Sequence, residues 1–207
     1  MASDGDTPKY SKNYNDKLAD ITLTSSDDVL FKVYSYELKT HSSVLRDMLC
    51  DPNLTPSTIP IDTKSSDLEL FLDYMIKFPP PLVRYWATAE QLFSLADRYG
   101  CPIVHERLRF RLADVAMQAP WEVFCFASHE NDPHLARKAL EKMGQDLMRN
   151  EMTLTDMSAK DILKPTPPYL VGLLYQLERN RAVTWNKRSY RNDVNWDIIA
   201  KNFTPRL

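Results

Sequence analysis

An α+β domain followed by an all-α extension is the fold class that this 207-residue sequence predicts. Three observations carry it. Ile21 and Leu23 alternate with Thr22 and Thr24, and Val29, Phe31 and Val33 point away from Lys32, the period of half-buried strands. From Leu38 the period changes: Leu38, His41, Leu45, Met48 and Leu49 stand three or four residues apart, which is helical. Apolar stripes of the helical kind then recur as far as Arg181.

Taken in order, residues 1–16 are polar apart from Tyr10 and Tyr14 and are expected to form a flexible arm. Ser25, Ser26, Asp27 and Asp28 supply turn chemistry between the first two strands, because short polar side chains bond nearby amides. The segment from Leu38 to Leu49 supplies the first helices. Its Leu38, Ser42, Leu45, Met48 and Leu49, with Asp20 before the first strand, resemble the opening of a BTB/POZ domain, L-x-x-x-S-x-x-[FL]-x-x-[ML]. Ser25 to Asp27 and Arg46 to Met48 are similar to the fungal branch of that family. The histidine usual in the family four residues before the leucine is Tyr34 here, which counts against a function tied to the family's polar pocket.

Pro52 and Pro56 mark a loop over residues 50–57, and residues 58–61 read as a short third strand. BTB proteins that recruit a cullin ubiquitin-ligase scaffold carry a hydrophobic-x-Glu motif in this loop. Here Leu54 is followed by Thr55 and Pro56, so a cullin scaffold is a disfavoured partner. Ser66 to Glu69 fits a capping box, followed by an inward stripe of Leu68, Phe71, Leu72, Met75 and Ile76. The prolines of Phe78–Leu82 end that helix. Thr88 to Gln91 is a second capping-box match. Ala96 to Pro102 (ADRYGCP) is similar to a BTB helix ending. Gly100 suits the left-handed cap and Pro102 the first turn of the next helix, which runs to about Gln118. That helix turns Val104, Leu108, Leu112 and Val115 inward, with Arg107, Arg109 and Arg111 largely outward.

The resemblance covers residues 17–118 and implies a small sheet of short strands capped by helices and helical hairpins. Residues 119–183 follow as a helical extension that looks BACK-like. Ala119-Pro120-Trp121 starts one helix, with Trp121, Phe124, Cys125 and Ser128 on one side. Asp132-Pro133 opens another, with Leu135, Ala139, Leu140, Met143 and Leu147 inward. Residues 158–164 make a short helical turn. A last helix over 168–181 would carry Leu170, Leu173, Leu174 and Leu177 on one face. Residues 184–207 are a basic aromatic tail with Trp185, Tyr190, Trp196 and Phe203. From Glu178 onward there are seven basic residues against three acidic ones. Aromatic and basic interleaving can stack on single-stranded nucleic acid, but it more often anchors a tail to protein.

The net charge of −2 argues against a general nucleic-acid binder. The four glycines are too dispersed for a phosphate loop. Cys50, Cys101 and Cys125 lie in apolar helical contexts without C-x-x-C spacing and read as reduced core residues. Asp132-Pro133 separates His129 from His134, so no metal site is expected, and no catalytic residue or cofactor is expected either. No apolar run approaches the ~18 residues of a membrane span, so an intracellular protein, cytoplasmic or nuclear, is expected.

The resemblance implies a non-enzymatic protein–protein interaction module, an adaptor or oligomerisation unit. Its partners are proteins, and a homodimer is allowed, though the arm lacks the leucine stripe of a helix-swapped one. The partner surface it implies is the helical face near Asp20, Tyr34 and Arg46, with Phe78, Pro80 and Leu82 of the loop. The alternatives are a cullin-ligase substrate adaptor and a transcription-associated factor that uses the tail on nucleic acid.

Overall fold

The computed structural model describes residues 8–51, 58–143, 157–181 and 194–206. The chain divides into two compact units: residues 1–82 with 87–110, and residues 83–86 with 111–207.

The first unit contains a four-stranded sheet of β1 (Lys9–Asn15), β2 (Ile21–Thr24), β3 (Val29–Val33) and β4 (Thr58–Pro60), in the order β1-β3-β2-β4. The expected hairpin forms, with Leu23 opposite Phe31 and Thr22 opposite Lys32 in an antiparallel register. Asp28 takes a left-handed φ of 59° at the turn, and the Ser25 hydroxyl accepts the Val29 amide at 3.0 Å. The third expected strand, β4, pairs parallel to β2.

The expectation of a flexible arm through Asp16 is corrected for residues 9–15, which form β1, parallel to β3. Only Ser11 and Tyr14 of this strand are buried. Its anchorage is polar. Asn13 Nδ2 donates to Glu69 at 2.6 Å, and the Tyr14 hydroxyl donates to Asp73 at 2.6 Å.

Helices α1 (Ser35–His41) and α2 (Ser43–Cys50) meet at Ser42, whose extended backbone breaks the helical path. The Ser42 hydroxyl accepts the Leu45 amide and donates to the Tyr99 carbonyl, so it caps α2 and ties it to a later turn. Helix α3 (Ser65–Ile76) buries Leu68, Phe71, Leu72, Tyr74 and Met75. It starts at Ser65, so the Ser66 capping box is not its cap; the carboxylate of Asp27 takes that role. Helix α4 (Trp86–Tyr99) likewise begins before Thr88, which therefore lies within it. At its end Gly100 has φ 58°, Cys101 N bonds Ala96 O at 2.8 Å, and Gly100 N bonds Asp97 O at 3.2 Å. This pair of reversed bonds closes the helix before α5 (Pro102–Val115) begins. The boundary between the two units falls inside α5, after Phe110.

The second unit is helical: α6 (Pro120–His129), α7 (Pro133–Met143), α8 (Ala159–Ile162), α9 (Pro167–Arg181) and α10 (Trp196–Asn202). Trp121, Phe124, Cys125 and Ser128 are all buried, as their spacing predicts. Asp132 Oδ1 accepts the Leu135 amide at 2.9 Å and so caps α7, which buries Leu135, Ala139, Leu140 and Met143. The predicted Leu147 lies outside the described residues. The stripe expected for α9 is displaced. Tyr169, Leu173 and Gln176 are buried, whereas Leu174 is 49% exposed. The cause is the end of α10 and the segment after it, which run against the Tyr169–Gly172–Gln176 side. A Cβ on Gly172 would stand 2.4 Å from Thr204 O, and Gln176 Nε2 donates to Asn202 O at 2.7 Å.

Candidate protein-interaction surfaces

Two aspartates of the hairpin region act on helix starts far along the chain. Asp20, just before β2, accepts the Ser35 amide at 2.8 Å and the Ser35 hydroxyl at 2.6 Å. Asp27, in the turn, accepts the Ser65 amide at 2.7 Å and the Ser65 hydroxyl at 2.6 Å. Each carboxylate satisfies free amide hydrogen at a helix N-terminus, where the helix dipole also favours negative charge. Hydrogen bonding from the two serines, hydroxyl first, holds Asp20 below the usual carboxylate range and brings Asp27 down to about 2.

Asp16 completes the first of these fixtures. It accepts the Leu18 amide at 2.9 Å and the Tyr34 hydroxyl. The Tyr34 and Tyr36 rings lie 5.9 Å apart. The 16–20 loop and the start of α1 thereby form one fixed patch, from which Leu18 and Tyr36 project 82% and 60% exposed. Of the predicted interface residues, Asp20 and Tyr34 fall together here. Leu18 and Tyr36 are absent from the sequence expectation. The available signal was Leu18 itself, an aliphatic residue in a polar stretch outside the strand alternation.

Arg46 sits elsewhere, on α2. It lines an open cavity of about 440 Å³ together with His41, Ser43, Asp97, Gly100 and His105. The ionisable side chains there have local partners. His105 Nε2 is 2.7 Å from Asp97 Oδ1, His41 Nε2 is 3.7 Å from Glu37, and Arg46 Nε is 3.8 Å from Asp47.

The Phe78–Leu82 loop is a third location. Phe78 is 83% exposed and Leu82 51%, but Pro80 is buried. Below the loop, Arg107 Nη1 reaches the Tyr74, Met75 and Lys77 carbonyls at 2.7, 3.2 and 3.1 Å. The Arg107 guanidinium thus covers the free carbonyls at the end of α3 and lies 5.9 Å from the Phe78 ring centre. Arg107, expected to point largely outward, is therefore half-buried and holds the loop from beneath.

Among the described residues, no group of three or more His, Cys, Asp or Glu side chains could hold a metal ion. His129 Nε2 instead lies 2.9 Å from the Lys164 carbonyl. Burial pushes the Cys101 thiol up to about 11 and Cys125 up to about 12; the expectation of a core position is corrected for Cys50, which is exposed near the end of α2. No helix of the described residues is long and apolar enough to cross a membrane. Of the basic aromatic tail, Trp185 and Tyr190 lie outside the described residues. Phe203 is fully buried, and the Arg206 guanidinium stacks 3.2 Å from the Tyr175 ring centre, so these two groups are engaged within their own unit.

A comparison with curated proteins finds no match to this chain. A family comparison does: the BTB/POZ domain matches residues 10–114, about half of the sequence. The match begins within β1, upstream of the boundary at residue 17 that the sequence motifs suggest. Its extent takes in the hairpin, the paired helices and the Gly100 turn described above, and the chain therefore belongs to the BTB/POZ domain family and is, in general terms, a protein–protein interaction module.

Proposed function

We propose that the chain is a non-enzymatic assembly module, working inside the cell, that self-associates through the patch formed by Leu18, Tyr34 and Tyr36. The observation that carries this reading is the fixed presentation of two exposed apolar side chains. Asp16 and Asp20 hold the loop and the helix start together, so the backbone that carries Leu18 and Tyr36 needs little further ordering on association. Tyrosine, as at Tyr36, is enriched among residues that dominate binding energy. Asp20 and Tyr34 support the patch more than they contact the partner. The loop bearing Phe78 and Leu82 is the second partner surface in this reading, with Pro80 packed beneath it, while Arg46 lines a separate cavity.

Sedimentation velocity on the full chain tests the proposal. The wild type is expected to dimerise reversibly with concentration, Leu18→Asp with Tyr36→Asp to remain monomeric, and Phe78→Asp with Leu82→Asp to dimerise normally. A wild type that stays monomeric at high concentration, or a dimer indifferent to the first pair, contradicts the assignment.

A further inference from the structure

After α10 the chain runs irregularly from Phe203 to Arg206, and its neighbours treat it as a receptor treats a bound peptide. Arg137 Nε donates to Phe203 O at 3.0 Å, and the buried Gln176 donates to Asn202 O at 2.7 Å. In the other direction Arg206 N donates to Pro168 O at 2.8 Å. These bonds read backbone groups and are indifferent to side-chain identity. Selectivity comes from two places. Phe203 is fully buried, with ring centres 5.5 Å from Phe124 and 5.7 Å from Tyr169. Three residues on, the Arg206 guanidinium stacks on Tyr175. Gly172 leaves the room for this approach, since any Cβ there would meet Thr204 O at 2.4 Å.

We propose that the groove between α7 and α9 is a receptor for an extended protein segment with an aromatic residue followed three positions later by arginine. Asn202–Arg206 is its displaceable internal occupant. The ligand is a partner protein's segment of that chemistry. Phe203 is the one buried anchor of the occupant, and displacement is feasible because what flanks it is weakly packed. Thr204 and Arg206 are exposed, and the seven-residue α10 buries Ile199 and Ala200 alone. A helix that short has little stability of its own and opens below the free energy of global unfolding. A competing segment that fills the groove traps the open form in proportion to its concentration and affinity.

Hydrogen exchange on the wild-type full chain tests this, with and without excess isotope-labelled peptide of residues 195–206. With peptide, the chain's own amides from Ile199 to Arg206 are expected to exchange faster by about tenfold, while α7 and α9 stay protected. The same peptide with Phe203→Ala is expected to leave exchange unchanged. Unaltered exchange of that segment at saturating peptide overturns the proposal, as does equal activity of the Phe203→Ala peptide. Concentration-dependent dimerisation that the peptide abolishes overturns the partner assignment in favour of a second copy.

Discussion

Removing Asp27 tests whether a carboxylate in a hairpin turn caps a helix 38 residues away. In Asp27→Ala the Ser65 amide and hydroxyl both lose their acceptor, at present 2.7 and 2.6 Å distant. Asp27 faces solvent, where screening leaves only a fraction of a pKa shift as stability. The cap itself sets the scale, about 1 kcal/mol within a range of about 0.5–2. For a chain of this size that corresponds to a fall of about 2–4 °C in Tm. The pH dependence gives a second signature. The Ser65 and Ser25 hydroxyls bring the folded carboxyl down to about 2 from an ordinary 3.8, so its contribution is complete above the ordinary value and is lost as pH falls through the folded one. The difference between wild type and Asp27→Ala should therefore hold at neutral pH and close between about 4 and 2. Asp27→Asn should retain part of the stability with no such pH dependence, because asparagine also caps well. Paired denaturant titrations at neutral and acid pH measure all three. Equal stability of Asp27→Ala at neutral pH, or a difference unchanged below the folded pKa, would refute the reasoning.

Other outcomes follow from the same geometry. Arg107→Met, which uncovers the Tyr74, Met75 and Lys77 carbonyls, should cost about 1.5–3 kcal/mol and speed proteolysis within Phe78–Leu82, with Arg107→Lys recovering part of the loss. Gly100→Ala meets a left-handed φ of 58° and should cost about 1–2 kcal/mol, read by chemical denaturation, since the exposed Ser43 hydroxyl can rotate away from the new Cβ. Iodoacetamide should modify exposed Cys50 in the native chain and spare Cys101 and Cys125, whose buried thiols are pushed up to about 11 and about 12, until the protein is unfolded. Peptide mapping by mass spectrometry reads this directly.

What was legible in the sequence was local. The hairpin alternation, the Gly100–Pro102 break and the Asp132 cap each depend on residues a few positions apart, and each forms as its spacing predicts. What escaped depends on distant partners. β1 has almost no apolar pattern, because bonds to Glu69 and Asp73 on α3 hold it in place of a hydrophobic face. The cap of α3 is Asp27, which no window around Ser65 contains. The buried face of α9 is set by a segment beyond residue 200, so Tyr169 and Gly172 take positions that the leucine spacing assigned elsewhere. The candidate interface divides in the same way. Asp20 and Tyr34 could be read from a family motif. Leu18 and Tyr36 emerge only when Asp16 is seen to join the loop to α1.

Radical footprinting of the full chain across a concentration series tests the central claim most directly, because it reports the exposure of individual side chains. Leu18 and Tyr36 should lose reactivity together as concentration rises, in step with dimer formation, while Phe78 and Leu82 stay reactive. Constant reactivity at Leu18 and Tyr36 through the association, or protection confined to Phe78 and Leu82, would contradict the account and move the self-association surface to the loop.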